Sequence, residues 1–377
     1  MCVAGMVWYE KGRTSMVIRM TKLSVIAALL LLSGCFAAPV YDGPPVPNHD
    51  GNQFRNKERL ERGPADVLRL SWQSLFNMQA WPQERLNSPV APPPARVVGE
   101  EVRVTYINHA TTLIQVDGVN ILTDPVYSER VSPVSWAGPK RVRSPGFPMD
   151  DLPQIDVILI SHNHYDHLDA TALKKLYARQ KEPPVLLAGL GNAGLFEDLG
   201  LSNFKDLNWD EYLSYKSIGI HFVACRHRSG RGIADQSKTL WGSFVIETRL
   251  GNIYFAGDTG FSPHFQRQGE RFGPFLLSIL PIGAYDPRWF MKEIHLNPAE
   301  AVEAHQALRS EQSLGIHFGV FQLTFEGIDE PVTDLDQALE QADLPRSSFW
   351  TLEPGEWRVI SPLNSAVSGG APSPAGR

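Results

Sequence analysis

Ser161-His162-Asn163-His164-Tyr165-Asp166-His167-Leu168-Asp169 sets three imidazoles and two carboxylates within the eight residues from His162 to Asp169. It follows Ile155–Ser161, an almost unbroken apolar run of the kind found in a strand buried on both faces. In α/β sheets ligands gather at the carboxyl ends of strands. A solvated polar loop is the bland reading of such a cluster. Buried without a cation, however, so many polar groups would repel one another or lack partners. Coordination offsets that desolvation, so the stretch reads as a metal-binding loop.

Working outward, Val102–Tyr106, Thr112–Val116 and Val119–Thr123 read as strands, with Asp117-Gly118 as a hairpin turn. Further strands are expected near Ile218–Ala224, Trp241–Glu247, Ile253–Ala256 and Leu276–Leu280. Helical patterns fall at Ala170–Arg179, Asn192–Leu199, Pro298–Arg309 and Thr333–Gln341. Strands and helices interleaved this way predict a layered α/β body. Residues 60–78 carry a helical apolar pattern of Val67, Leu68, Leu70, Trp72, Leu75 and Phe76. The expectation there is a helix packed on the core, with a membrane-facing or lid helix as the functional alternative.

The H-x-H-x-D-H spacing resembles the signature of the metallo-β-lactamase superfamily. That resemblance implies an αβ/βα four-layer sandwich, with His162 and His164 on one metal and Asp166 and His167 turned to a second. It also implies three downstream ligands: His227, Asp258 as a catalytic carboxylate bridging both metals, and His317. Asp124, at another strand end, is expected to orient a ligating imidazole, with His109 in a similar supporting part. His49, His221, His264 and His305 are read as surface or packing residues. Seven oxygen and nitrogen ligands without a thiolate suit two zinc ions, with iron or manganese as alternatives. Two such cations about 3.5–4 Å apart would generate a bridging hydroxide at neutral pH.

Asn108-His109-Ala110-Thr111, Gly138-Pro139-Lys140-Arg141, Trp241-Gly242-Ser243, Phe255–Gly260, Arg271–Phe275 and Pro281–Lys292 narrow the resemblance. Together they look like the N-acyl-phosphatidylethanolamine-hydrolysing phospholipase D family, from roughly Asp66 through Leu344. The resemblance implies hydrolysis of a phosphodiester to phosphatidic acid and an N-acylethanolamine. It matches His295 to a family histidine near the metals, expected to stabilise the transition state or leaving group. Lys140, Arg141 and Arg143 are candidates to meet a head-group phosphate, and Trp289 and Phe290 to line an acyl channel. Arg226 and Arg228, flanking His227, depart from what the family tends to carry there.

At the amino terminus Arg19 and Lys22 precede the apolar run Leu23–Leu32, then Leu32-Ser33-Gly34-Cys35. Ten apolar residues are too few for a spanning helix but suit a signal peptide. The ending resembles a lipobox, which implies acylation of Cys35 after removal of residues 1–34, and membrane attachment. By the same resemblance to lipoproteins, Phe36 rather than Asp at the next position implies sorting to the outer membrane of a Gram-negative cell envelope. Residues 35–58 read as a flexible tether, 59–361 as the hydrolase domain and 362–377 as a disordered tail. Cys225 is then the single free cysteine of the body. The chain carries 35 basic and 41 acidic side chains, and four of the basic ones leave with residues 1–34. An acidic body disfavours nucleic acid, and charge alone would not hold it on anionic lipid. Phospholipid is the expected substrate, and an oligomer is compatible with the sequence. Rival readings are a lactone or β-lactam hydrolase on the same dinuclear site, or a non-catalytic lipid-binding envelope lipoprotein.

Overall fold

The computed structural model describes residues 41–360, apart from 59, 61, 62 and 233. The expected signal peptide, Cys35 and the tail lie outside the described residues. Two seven-stranded sheets face each other. The first holds β1 (Val102–Asn108), β2 (Thr111–Val116), β3 (Val119–Thr123), β4 (Val157–Leu159), β5 (Val185–Gly189) and β6 (Phe204–Leu207), with β14 (Trp357–Ile360) on the edge beside β1. The second holds β7 (Tyr212–Tyr215), β8 (Ile218–Val223), β9 (Ser243–Glu247), β10 (Asn252–Phe255), β11 (Phe275–Pro281), β12 (Ser310–Ile316) and β13 (Phe349–Trp350).

Both sheets bury apolar side chains on two faces, which explains their continuous rather than alternating hydrophobic runs. Between the sheets Val104, Ile114, Ile121 and Leu159 meet Phe222, Phe244, Phe255, Ile279 and Ile316. Each such side chain contributes about 1.5–3 kcal/mol on burial. The outer face of the first sheet is covered by α2 (Ala170–Arg179) through Leu173 and Leu176, and by α3 (Ala193–Asp198) through Phe196. The outer face of the second is covered by α4 (His264–Phe272), α6 (Pro298–Ala307) and α7 (Glu330–Gln341). The order helix, sheet, sheet, helix is the expected four-layer sandwich.

Local chemistry accounts for several boundaries. The Asp117-Gly118 turn has positive φ at both residues, 49° and 75°, as a tight hairpin between twisted strands requires. Asp169 caps α2 by accepting from the amides of Thr171 and Ala172. Asn297 and Glu300 form a capping box at the start of α6. β4 is shorter than the apolar run suggested, because the chain leaves the ladder after Leu159 to carry the histidine loop.

Two expectations are corrected. Residues 41–58 are not a free tether where they are described. Phe54 is buried and its amide donates to Ser237 O at 2.8 Å, while Tyr41, His49 and Phe54 form an aromatic cluster. Proline and glycine there shape turns, and burial of Phe54 offsets the cost of ordering them. The helix at 60–78 forms as α1 (Pro64–Asn77), but it is not sunk in the core. Leu68 is 73% exposed and Trp72 65%, while Leu70 on the opposite side packs with Trp289, Phe290, Met291 and Ile294.

Candidate metal centre

All candidate ligands sit at one edge of the sandwich because each follows the carboxyl end of a strand. His162, His164, Asp166 and His167 follow β4, and Asp124 follows β3. His227 follows β8, Asp258 follows β10 and His317 follows β12. Three site residues hold the left-handed backbone region that side chains with a Cβ rarely adopt: His109 at φ 45°, Asp124 at 31° and His317 at 66°. Such strain persists where the surrounding structure over-determines it. Gly257 also has positive φ, and a Cβ there would lie 2.3 Å from Ser161 Cβ, so only glycine lets β10 approach the histidine loop.

The ligand atoms fall into two groups joined by one carboxylate. In the first, His162 Nε2 lies 2.7 Å and His227 Nε2 3.4 Å from His164 Nδ1. In the second, Asp166 Oδ2 lies 3.5 Å from His167 Nε2 and 3.3 Å from His317 Nε2. Asp258 reaches both: its Oδ2 is 4.0 Å from His162, 3.8 Å from His227 and 3.2 Å from His167, and its Oδ1 is 3.3 Å from His317. His167 Nε2, His317 Nε2 and Asp258 Oδ1 are buried and close to one another, yet none makes a hydrogen bond of good geometry among the described residues. Buried polar atoms converging without partners are what a bound cation would satisfy, so the donor set fits metal.

The supporting contacts fix each ring. His167 Nδ1 bonds Asp124 Oδ2 at 2.6 Å, and the same carboxylate accepts from Ser161 Oγ at 2.6 Å. Ser161 Oγ in turn contacts His162 Nδ1 at 2.9 Å, and Ile294 O takes His227 Nδ1 at 2.9 Å. His109 Nε2 lies 3.2 Å from Asp166 Oδ2. Asn56 brackets the His227 backbone, donating to its O at 2.7 Å and accepting from its N at 3.1 Å. Nothing local in the sequence marks Asn56, which stands 171 residues away.

Electrostatics keep His162, His164, His227 and Asp258 in the form that binds cations. Against the effect of burial, Asp258 and Asp166 raise His167 well above its ordinary value and His317 to about 9. Burial and then neighbouring imidazoles hold His162 well below its ordinary pKa, so it is neutral. Burial also holds His227 well below its ordinary value, against the pull of Asp258. His164 is pushed down to about 4, by burial first, with Arg228 adding to the fall against Asp166. Burial would raise the Asp258 carboxyl, but His167, His317 and His295 hold it well below the carboxylate range.

His295 stands at the rim, its Nδ1 3.7 Å from Asp258 Oδ2. A cavity of about 430 Å³ opens over the ligands, lined by His164, Asp166, Asp258, His295 and Arg228 on the polar side. Val67 and Leu70 of α1, with Phe290, Met291, Ile294 and Leu323, form the apolar side. Phe290 lines the cavity from the short α5 (Arg288–Met291). Trp289 does not line it. Its Nε1 donates to Gln73 Oε1 at 3.1 Å and its ring lies under Arg69, so it anchors α1. The basic loop is also corrected. Lys140 pairs with Glu129 at 2.8 Å, Arg143 pairs with Glu353, and buried Arg141 donates to the carbonyls of Ser128, Val126 and Arg143. All three already have protein partners: Arg141 on nearby carbonyls, Lys140 on a neighbouring carboxylate and Arg143 on Glu353 far along the chain. His264 and His305 bond Ser262 and Ser313 away from the centre, and Cys225 is free and buried.

A four-layer sandwich with this donor set at one edge defines a metallohydrolase of the metallo-β-lactamase class. The family model described as "Beta-lactamase superfamily domain" matches residues 119–318, just over half the chain. N-acyl-phosphatidylethanolamine-hydrolyzing phospholipase D 1 of Caenorhabditis elegans is 40% identical over 264 residues, covering 67% of this chain and 74% of the relative. Outer membrane protein RomA of Klebsiella pneumoniae is 42% identical, but over 27% of this chain and 75% of its own. A metallo hydrolase of Ignicoccus hospitalis shares the fold at TM-score 0.52 and 21% identity, covering 69% of this chain and 99% of that one. The chain belongs to the beta-lactamase superfamily, among the homologues of the N-acyl-phosphatidylethanolamine-hydrolysing phospholipases D. It is a metal-dependent hydrolase of that fold.

Proposed function

We propose that this hydrolase cleaves the phosphodiester of an N-acyl-phosphatidylethanolamine-like lipid at a membrane surface. The observation that carries the reading is the two-sided cavity: candidate metal ligands on one wall, and apolar side chains of α1 and α5 on the other. An apolar wall beside the ligands gains more from burying a long lipid chain than from a compact lactone or β-lactam. The name of the Caenorhabditis elegans relative supports the same substrate class.

Two zinc ions, held by His162, His164 and His227 on one side and Asp166, His167 and His317 on the other, with Asp258 between, would supply Lewis acidity and acidify water there. The chain's own groups do the rest. Asp258 stays ionised and fixes both ligand sets. His295 stabilises the oxygen that departs as the phosphorus–oxygen bond to the ethanolamine breaks, while the oxygen of water joins phosphorus. The products are phosphatidic acid and an N-acylethanolamine. The apolar wall holds acyl chains and excludes bulk water.

Membrane attachment through a lipidated Cys35 in the outer membrane completes the reading, and the similarity to RomA supports an envelope setting. Among the described residues no helix is long and apolar enough to cross a membrane. The exposed Leu68 and Trp72 of α1, on the helix that also walls the cavity, suit contact with lipid. The test is the zinc-loaded full chain, in detergent, given N-acyl-phosphatidylethanolamine and followed by lipid mass spectrometry beside Asp258→Asn. Release of phosphatidic acid and N-acylethanolamine by the wild type alone supports the assignment. A folded, metal-loaded wild type that releases neither sinks it.

A further inference from the structure

We propose that Arg228 selects an anionic phosphate ester for this site by pairing its guanidinium with a non-bridging phosphate oxygen. The inference rests on the phosphodiester reading above and assigns it a residue. Three arginines cluster after β8, and two of them have protein partners. Arg226 lies 3.4 Å from Glu293. Arg231 donates to Asn163 O at 3.0 Å and Leu168 O at 2.9 Å, and stacks over Tyr165 at 3.9 Å. Arg228 differs from both. Its Nε is buried and has no hydrogen-bond partner among the described residues, and it has no counterpart there to the Arg226–Glu293 pair.

Its position says what would answer it. Arg228 lines the cavity with His164, Asp166 and Asp258, and its charge reaches His164. Arg228 is half-buried with its Nε shielded from solvent, and a ligand anion would answer a charge that no group among the described residues neutralises. The planar fork of a guanidinium matches two phosphate oxygens better than one carbonyl oxygen. A neutral lactone in the same cavity would offer Arg228 one carbonyl acceptor and no charge. Arg228 is therefore a specificity residue, and its place beside the first ligand group puts the phosphate against the metal wall with the acyl chains toward α1.

The test compares two ligands that differ in one alkyl group and one charge, dibutyl phosphate and tributyl phosphate. Calorimetry on the metal-loaded full chain gives the ratio of their affinities, with metal content and melting temperature measured alongside. The wild type is expected to favour the anion. Arg228→Met should lower dibutyl phosphate affinity by about tenfold to a hundredfold, the scale of a charge-assisted bond. Arg228→Lys, which keeps the charge without the fork, should fall between them, and it reads the same ratio should the methionine variant fold poorly. Equal loss of both ligands, or an unchanged ratio in both variants, overturns the proposal. A shifted ratio in a protein that never hydrolyses the lipid would refute the lipid substrate and leave Arg228 standing. Lipid hydrolysis with an unshifted ratio would do the reverse.

Discussion

The first sheet delivers four candidate ligands on one loop, His162 to His167, whereas the second delivers three from separate strand ends spread between residues 227 and 317. The first set is stiffened locally: Asp124, from the adjacent strand, bonds Ser161 and His167 together, and Ser161 braces His162. Among the described residues the second set has no shared brace of that kind. His227 leans on the Ile294 carbonyl and on Asn56, and the His317 amide on His109 O at 2.8 Å. One half of the centre is thus a loop property, and the other is a property of strand order. Asp258 is where the halves meet.

The largest effect should come from breaking that meeting point. Asp258→Asn removes the carboxylate facing His167 and His317, and should cost activity well beyond the about 10–100-fold that outer-shell partners carry. Metal content per chain, by mass spectrometry, should fall with it. A variant with full metal and near wild-type turnover would show that the two halves do not depend on Asp258.

Asp124→Asn tests the brace of the first half. The amide keeps the size but loses the charge set against His167, so metal affinity should drop about 10–100-fold. Competition with a chelator measures it, and an unchanged affinity would mean that the loop holds its shape unaided. Gly257→Ala tests how closely the halves approach. Its Cβ would press on Ser161 from a positive-φ position, and overpacking of that kind costs about 1–3 kcal/mol. Chemical denaturation reads that loss, and a neutral result would show the contact to be soft.

The smallest effect on stability is expected outside both halves. Trp72→Ser and Leu68→Ser alter side chains that are mostly exposed, so the free energy of unfolding should move by no more than about 0.5 kcal/mol. Binding to phospholipid vesicles should nevertheless weaken. Unaltered vesicle binding would remove α1 from the membrane surface and leave the centre untouched.

The sequence by itself determined the first half of the site. The spacing from His162 to Asp169 after an apolar run marks a ligand loop at a strand end, because the information is contiguous and the chemistry of burial leaves few alternatives. It also placed the β2–β3 hairpin and α2, whose turn and capping residues act within a few positions. His227, Asp258 and His317 could be named only by resemblance, since nothing within a few residues of each says which strand ends share an edge. Tertiary structure alone decided that Arg141 serves its own loop while Arg228 faces the cavity, and that α1 turns Leu68 and Trp72 outward. The physical reason is the same in each case. Residue type fixes what a side chain can bind or bury, but which acceptors and apolar surfaces lie within reach depends on strands brought together from distant parts of the chain.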